Sequence, residues 1–395
     1  MKSELLKGFD YQALQDILGQ LKADGWLLYN FLGINPASSR VLGVHGMGTR
    51  RYFVLLPARG SPVAIVHRIE LGSFEAFPGE VRPYSAWREL HEQLRALVNG
   101  RTIAMEVSPR DAVPYLDRVP HGVVELIESL GGRVISSGAL ITRFAARWTQ
   151  SELAGHRRAA EALASIANEA LRWAGAELGR GVEVRETAVQ ARVLEAFNRA
   201  ALYTDHPPIV GFAANSANPH YEPRTGADRA LAKGDVLLLD LWAGTGPDTV
   251  FADQTWIGFA GSAPSDEVQR IWSTVRAARD AAVALLRKRW GKGEVVTGAA
   301  LDDAARTVIQ AAGYGEQFVH RTGHSIDRAL HGSGPHLDNF ETADERSLVP
   351  GVGFSVEPGI YLAGRFGIRS EINVFLNETG PEVTPKTPQE ELLLV

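Results

Sequence analysis

Cysteine is absent from all 395 residues. That excludes disulfides, thiolate nucleophiles, Cys-ligated zinc and iron–sulfur clusters. No apolar run approaches the ~20 residues of a membrane-spanning helix, so no membrane partner is expected. The opening Met1-Lys2-Ser3-Glu4-Leu5-Leu6-Lys7 lacks the apolar core and cleavage site of a signal peptide, and a cytoplasmic address is the expectation. A dominant charge is missing too. Lys+Arg number 41 against 46 Asp+Glu, a net −5, which argues against nucleic acid as the main partner. Several catalytic motifs are lacking. There is no GxxxxGKS/T phosphate loop, and Gly353-Phe354-Ser355-Val356-Glu357 breaks the GxSxG elbow at its last position. His91-Glu92 lacks the second histidine of HExxH. Gly43-Val44-His45-Gly46-Met47-Gly48 is no dinucleotide fingerprint and reads as a turn between strands.

What is present is ordinary in bulk and specific in detail. Apolar residues at 45% and charged residues at 22% describe a globular chain long enough for two or three domains. In the first third, Trp26-Leu27-Leu28-Tyr29, Tyr52–Leu56, Val63–Val66 and Thr102–Val107 are short apolar runs bounded by turn residues, hence strands. Trp87, Leu90, Leu94, Leu97 and Val98 repeat at helical spacing behind Ser85, a plausible cap. The reading is an α/β (α+β) chain with a smaller domain over 1–145 and a larger one over 146–395. In the larger domain, Thr149 caps a helix from Ser151 to Glu177. Further helices fall at 185–202, 265–290 and 297–312.

Each helical pair leads into a hairpin. Val236–Trp242 returns through a turn at 244–248 as Val250–Trp256. Gly353–Tyr361 returns through Gly364 and Gly367 as Ile368–Val374. Each hairpin carries one carboxylate per strand: Asp240 and Asp253, then Glu357 and Glu371. A lone strand carboxylate is more often an edge residue or half of an ion pair. Four in matched apolar hairpins are different. Burial of a charge is costly unless it is compensated, and Arg369 alone is insufficient. Divalent metal is the natural answer. Oxygen ligands with one imidazole favour Mn, Fe or Co over a purely zinc site. Two ions about 3.5–4 Å apart could share carboxylates. The imidazole is His324, behind Gly323, in a stretch that also holds His320, His331 and His336. A further cluster, Asp205-His206-Pro207-Pro208 and Asn215–Tyr221, contains His220 ahead of the first hairpin.

In the order Asp, Asp, His, Glu, Glu, and in the contexts Leu-Leu-Asp, Asp-x-Thr, Gly-His, Glu-Pro-Gly and Arg-x-Glu, the chain resembles the M24 metallopeptidases of pita-bread fold. These are the prolidases, aminopeptidase P and methionine aminopeptidases. The likeness is strong from about 150 to 395. The first 140 residues resemble, more weakly, the creatinase/prolidase amino-terminal domain.

The resemblance implies two divalent ions, manganese expected, with cobalt, zinc and iron as alternatives. Asp240 and Asp253 would hold one ion and His324 and Glu357 the other, with Asp253 and Glu371 shared. Glu357 would also shuttle a proton. His220 would steady the tetrahedral intermediate or touch the leaving nitrogen, and His331 would hold the substrate carbonyl. Arg369 would lie near the substrate carboxyl end. The implied function is a homodimeric peptidase cleaving before proline, in Xaa-Pro dipeptides. The alternatives are aminopeptidase P chemistry on longer peptides and a non-catalytic peptide-binding module. Departures from the family wording are Trp256, Gly332 and Ile372, expected to touch substrate or ligand surroundings. Asn30 stands where relatives carry an aspartate that could reach a partner's site.

Overall fold

The computed structural model describes residues 5–45 and 48–395. The chain forms two compact units, 1–145 and 146–395. The first unit runs α1 (Tyr11–Leu21), β1 (Gly25–Asn30), α2 (Pro36–Leu42), β2 (Tyr52–Pro57), β3 (Val63–His67), β4 (Glu80–Tyr84), α3 (Trp87–Val98), β5 (Thr102–Met105), α4 (His121–Ser129), β6 (Arg133–Ser136) and α5 (Gly138–Phe144). Its strands form one mixed sheet in the order β4-β3-β2-β1-β5-β6. Period-two alternation sends Trp26 and Leu28 into one core and Leu27 and Tyr29 into the other, so helices cover both faces.

Two local expectations change here. Ala86, not Ser85, begins α3; the Glu89 carboxylate reaches back to the N–H groups of both residues. Gly43 is not part of a strand-to-strand turn. It ends α2 in the left-handed conformation, φ 74°, where a side chain is disfavoured. Gly46 and Met47 of that segment lie outside the described residues. Asn30 is buried, and its amide donates to Ser39 Oγ at 2.8 Å and accepts from the N–H groups of Phe31 and Asn35. It is engaged within its own unit.

The second unit begins with α6 (Gln150–Gly179), α7 (Glu186–Arg199), β7 (Ile209–Phe212), β8 (Val236–Ala243) and β9 (Ala252–Phe259). It continues with α8 (Asp266–Trp290), α9 (Gly298–Ala311), β10 (Ser325–Ile326), β11 (Gly353–Val356), β12 (Gly359–Leu362), β13 (Phe366–Arg369), β14 (Ile372–Asn377), β15 (Gly380–Thr384) and β16 (Leu393–Leu394). Thr149 and Glu152 form a reciprocal capping box at the start of α6. Strands order as β16-β9-β8-β7, β10-β11-β14-β15 and β12-β13.

The apolar run Val236–Leu239 is unbroken because β8 is buried on both faces. Leu237, Leu239 and Leu241 join the core under α6 and α7. Val236 and Leu238 join the core under α8 and α9, and Asp240 follows them on that face. On β9, Trp256 packs into the α6–α7 core, and Ile372 of β14 into the α8–α9 core. Trp256 does not face the carboxylates. Alternation, with Asp253 and Thr255 on the site face, turns Gln254 and Trp256 away from it. Their departure from the family wording is therefore a packing change.

His156 of α6 is completely buried. Its Nδ1–H donates to Phe251 O at 2.8 Å, and Nε2 accepts from the Thr384 hydroxyl at 2.8 Å, which fixes the neutral ring. Burial holds its pKa down to about 4. A depressed histidine contributes stability above its unfolded value near 6.5 that is lost as pH falls to 4. The stability advantage of the native chain over His156→Gln should shrink by about 3 kcal/mol across that window. Paired urea melts check it; a constant difference would refute it.

Candidate metal centre

The two hairpins place their carboxylates differently. Asp240 is directly opposite Thr255, and Asp253 is opposite Trp242, so the two aspartates are diagonal neighbours on one face. The second hairpin is broken at Glu357-Pro358 and Ser370-Glu371. Its register is unchanged on both sides of the break, from Val356↔Ile372 to Gly359↔Arg369, so Glu357 stands opposite Glu371. Asn373 joins the hairpins. Its Oδ1 accepts from Asp253 N–H at 2.9 Å, and its Nδ2 donates to Asp253 O at 2.7 Å. This amide replaces a ladder step between β9 and β14.

The histidine arrives on a loop. Gly323 is required there, since a Cβ would lie 2.1 Å from Ser355 O. The His324 N–H donates to Ser355 Oγ at 3.0 Å, and its Nδ1–H to Ser325 O at 3.1 Å. That tautomer leaves Nε2 facing carboxylates, 3.3 Å from Asp253 Oδ2 and 3.4 Å from Glu357 Oε1.

All five predicted ligands lie in one cluster. The Thr255 hydroxyl lies 2.8 Å from Glu371 Oε2 and 3.2 Å from Asp240 Oδ1. Arg369 pairs with Asp240, donates from Nε to Thr255 Oγ1 at 2.8 Å, and lies 3.8 Å from Glu357 Oε2. Asp253, His324 and Glu371 each offer one donor atom within 4.8 Å of the others. Asp253 Oδ1 and Glu371 Oε1 are buried with no hydrogen-bond partner among the described residues. Orphaned anionic oxygens beside an imidazole nitrogen turned toward the same carboxylates are what a divalent cation satisfies, so the residues fit the ions.

Electrostatics agree. Burial lifts Asp240 to about 6, Arg369 opposing and Asp253 and Glu357 adding to the rise. Burial and the same repulsion raise Asp253, and put Glu371 well above the carboxylate range. Burial would also raise Glu357, but the charges of His324 and Arg369 outweigh it and hold it near 2. Carboxylates this uneasy at neutral pH mark an incomplete charge balance.

The other sequence-predicted residues divide. His331 is exposed at the cavity mouth, its ring centroid 4.3 Å from that of His324. His220 is also exposed, near enough for its charge to be felt at His331. Arg369 is buried, and its guanidinium faces Asp240 and Thr255. His320 sits behind the site, its Nε2 accepting from the Tyr361 hydroxyl at 2.8 Å. His336 accepts from Ser325 N–H and braces the loop. Sequence reasoning missed Asn373 and the bridging role of Thr255. For Thr255 the two-residue spacing from Asp253 was the available signal.

Paired carboxylate hairpins closed by one imidazole define a metal-dependent hydrolase. The family model for metallopeptidase family M24 matches residues 154–378. The chain belongs to that family. A probable dipeptidase PepE of Mycobacterium bovis is 28% identical over 347 residues, 86% of this chain and 85% of that protein. An Xaa-Pro dipeptidase of Lactobacillus delbrueckii is 30% identical over 242 residues, 61% of this chain and 60% of that protein. The crystal structure of dipeptidase PepE from Mycobacterium ulcerans superposes with TM-score 0.73 at 26% identity, covering 98% of this chain and 96% of that one.

Proposed function

We propose that this chain is a two-metal dipeptidase cleaving the bond before proline. The observation that carries it is the pair of orphaned carboxylate oxygens on Asp253 and Glu371 around His324. Asp240, Asp253 and Glu371 would hold one ion, and Asp253, Glu371, His324 and Glu357 the other, with manganese the expected metal. Bound divalent cations supply Lewis acidity and ease deprotonation of water. The chain does the rest. Glu357, ionised at neutral pH, takes a proton from the attacking water and delivers it to the departing nitrogen. His331 would hold the substrate carbonyl, and His220 would meet the leaving nitrogen. A role for Arg369 at the substrate carboxyl end requires its release from Asp240. Without that it sets the charge around Asp240 and Glu357. The first unit as a creatinase/prolidase-like domain, a homodimeric assembly and a cytoplasmic setting complete the proposal. No helix among the described residues is long and apolar enough to cross a membrane.

Chelation followed by manganese is expected to restore hydrolysis of Ala-Pro and leave Ala-Pro-Ala intact. Tripeptide turnover would instead mean aminopeptidase P specificity. Bound metal without turnover of either peptide would refute cleavage before proline.

A further inference from the structure

His220 stands on a loop whose anchor is a carboxylate outside the metal centre. Glu186 opens α7 and is completely buried. Its Oε1 accepts from Phe212 N–H at 2.7 Å, and its Oε2 from the Tyr221 hydroxyl at 2.7 Å and Arg229 N–H at 2.8 Å. Asn215 Nδ2 lies 3.0 Å from both oxygens. Three of these four residues belong to segment 212–221, which ends in His220-Tyr221. A buried carboxylate is tolerated when its lone pairs are filled, and here one loop fills most of them.

The far side of the loop is fixed too. Gly367 N–H donates to Ser216 Oγ at 2.9 Å, and a Cβ on Gly367 would lie 2.2 Å from Ser216 O. The backbone of His220 donates to Asn218 Oδ1 at 3.1 Å, a bond inside the loop. The position of the imidazole is therefore set by the anchors of the loop.

The second half of the unit repeats the device. Asp302 of α9 is completely buried and accepts from the Thr322 N–H at 3.0 Å, the Thr322 hydroxyl at 2.6 Å and Asn339 N–H at 2.9 Å. Its partner Arg306 donates to the carbonyls of Phe318 and His320. That loop carries His324. In each half, a buried carboxylate on the second helix captures the loop that bears a site histidine.

We infer that Glu186 is the positioning residue of His220, fixing the 212–221 loop so that the imidazole meets the substrate beside His331. The inference rests on the peptidase reading, in which His220 touches substrate. A double-mutant cycle tests it on the full manganese-loaded chain: native, Glu186→Gln, His220→Ala and the double variant. Glu186→Gln exchanges an acceptor for a donor facing donors. It should lower kcat about 10- to 100-fold, with KM and manganese content little changed. The double variant should be no slower than His220→Ala alone, because Glu186 acts through His220. Additive losses, or an unchanged kcat, overturn the inference. Tyr221→Phe removes one bond of the set, and runs through the same cycle if Glu186→Gln does not fold. The imidazole NMR signal of His220, assigned by its loss in His220→Ala, should shift in Glu186→Gln or Tyr221→Phe without any substrate. An unmoved signal overturns positioning. A moved signal in a chain that cleaves no peptide overturns the peptidase reading alone.

Discussion

Asp253→Asn should abolish peptide hydrolysis, by about a thousandfold or more, and yet make the metal-free chain more stable. Outer partners of a metal site already cost 10- to 100-fold when removed. Asp253 is more central. Its Oδ2 faces His324, its Oδ1 has no hydrogen-bond partner among the described residues, and its backbone is gripped by Asn373. Without metal, Asp253 is one of four buried acids that repel one another and raise Glu371 furthest. Neutralising it relieves that repulsion and removes an unsatisfied anion. Melting curves with and without manganese read both effects. The native chain should gain thermal stability on adding manganese, by about 4 kcal/mol at a thousandfold excess over Kd. The variant should start higher and gain little. An undiminished manganese shift in Asp253→Asn would show that this carboxylate does not hold the ion.

The metal-free chain should lose stability as pH rises from 6.5 to 8. Asp240, at about 6, together with Asp253 and Glu371, has a folded pKa above its unfolded value. A raised group contributes stability below its unfolded pKa and loses it as pH climbs through the folded one. His324, raised by Asp253 and Glu357 against the opposing effect of burial, acts in the same direction. Glu357, held near 2, has the opposite sign, but its contribution changes only below its ordinary value of 4.5. His156, His320, His331 and His336 also oppose, but only below their ordinary value of 6.5, so the slope is read above it. Urea midpoints of chelated protein at pH 6.5 and pH 8 measure the effect. A higher midpoint at pH 8 would contradict it. With manganese bound, the carboxylates stay ionised against the cation, and the slope should disappear or reverse.

Much of this was legible in the chain because local signals and burial coincide. Carboxylates inside otherwise apolar strands point to their own special purpose, so Asp240, Asp253, Glu357 and Glu371 could be picked out before any contact was known. Helix starts at Thr149, Ser265 and Thr297 follow from side-chain caps. Glu186 and Asp302 escaped, because an acid at a helix start or on a helix face looks like any solvated residue until the tertiary fold buries it. Asn373 escaped for a related reason: the strand it grips is 120 positions away in sequence. Trp256 shows the reverse error. A residue beside a ligand in sequence seemed to belong to its surroundings, although a strand turns each neighbour to the opposite face.

The alternation of Leu237, Leu239 and Leu241 with Val236 and Leu238 has a consequence for inheritance. Each half of the second unit offers its own helices and hairpin, as two copies of an ancestral piece would. Yet β8 and β9 lend one face to each core, so the first half cannot cover its strands alone. The first half by itself would leave an apolar sheet face bare to water. The cavity between the hairpins is the seam of that pairing. Acids at such a seam are brought together by the joining itself.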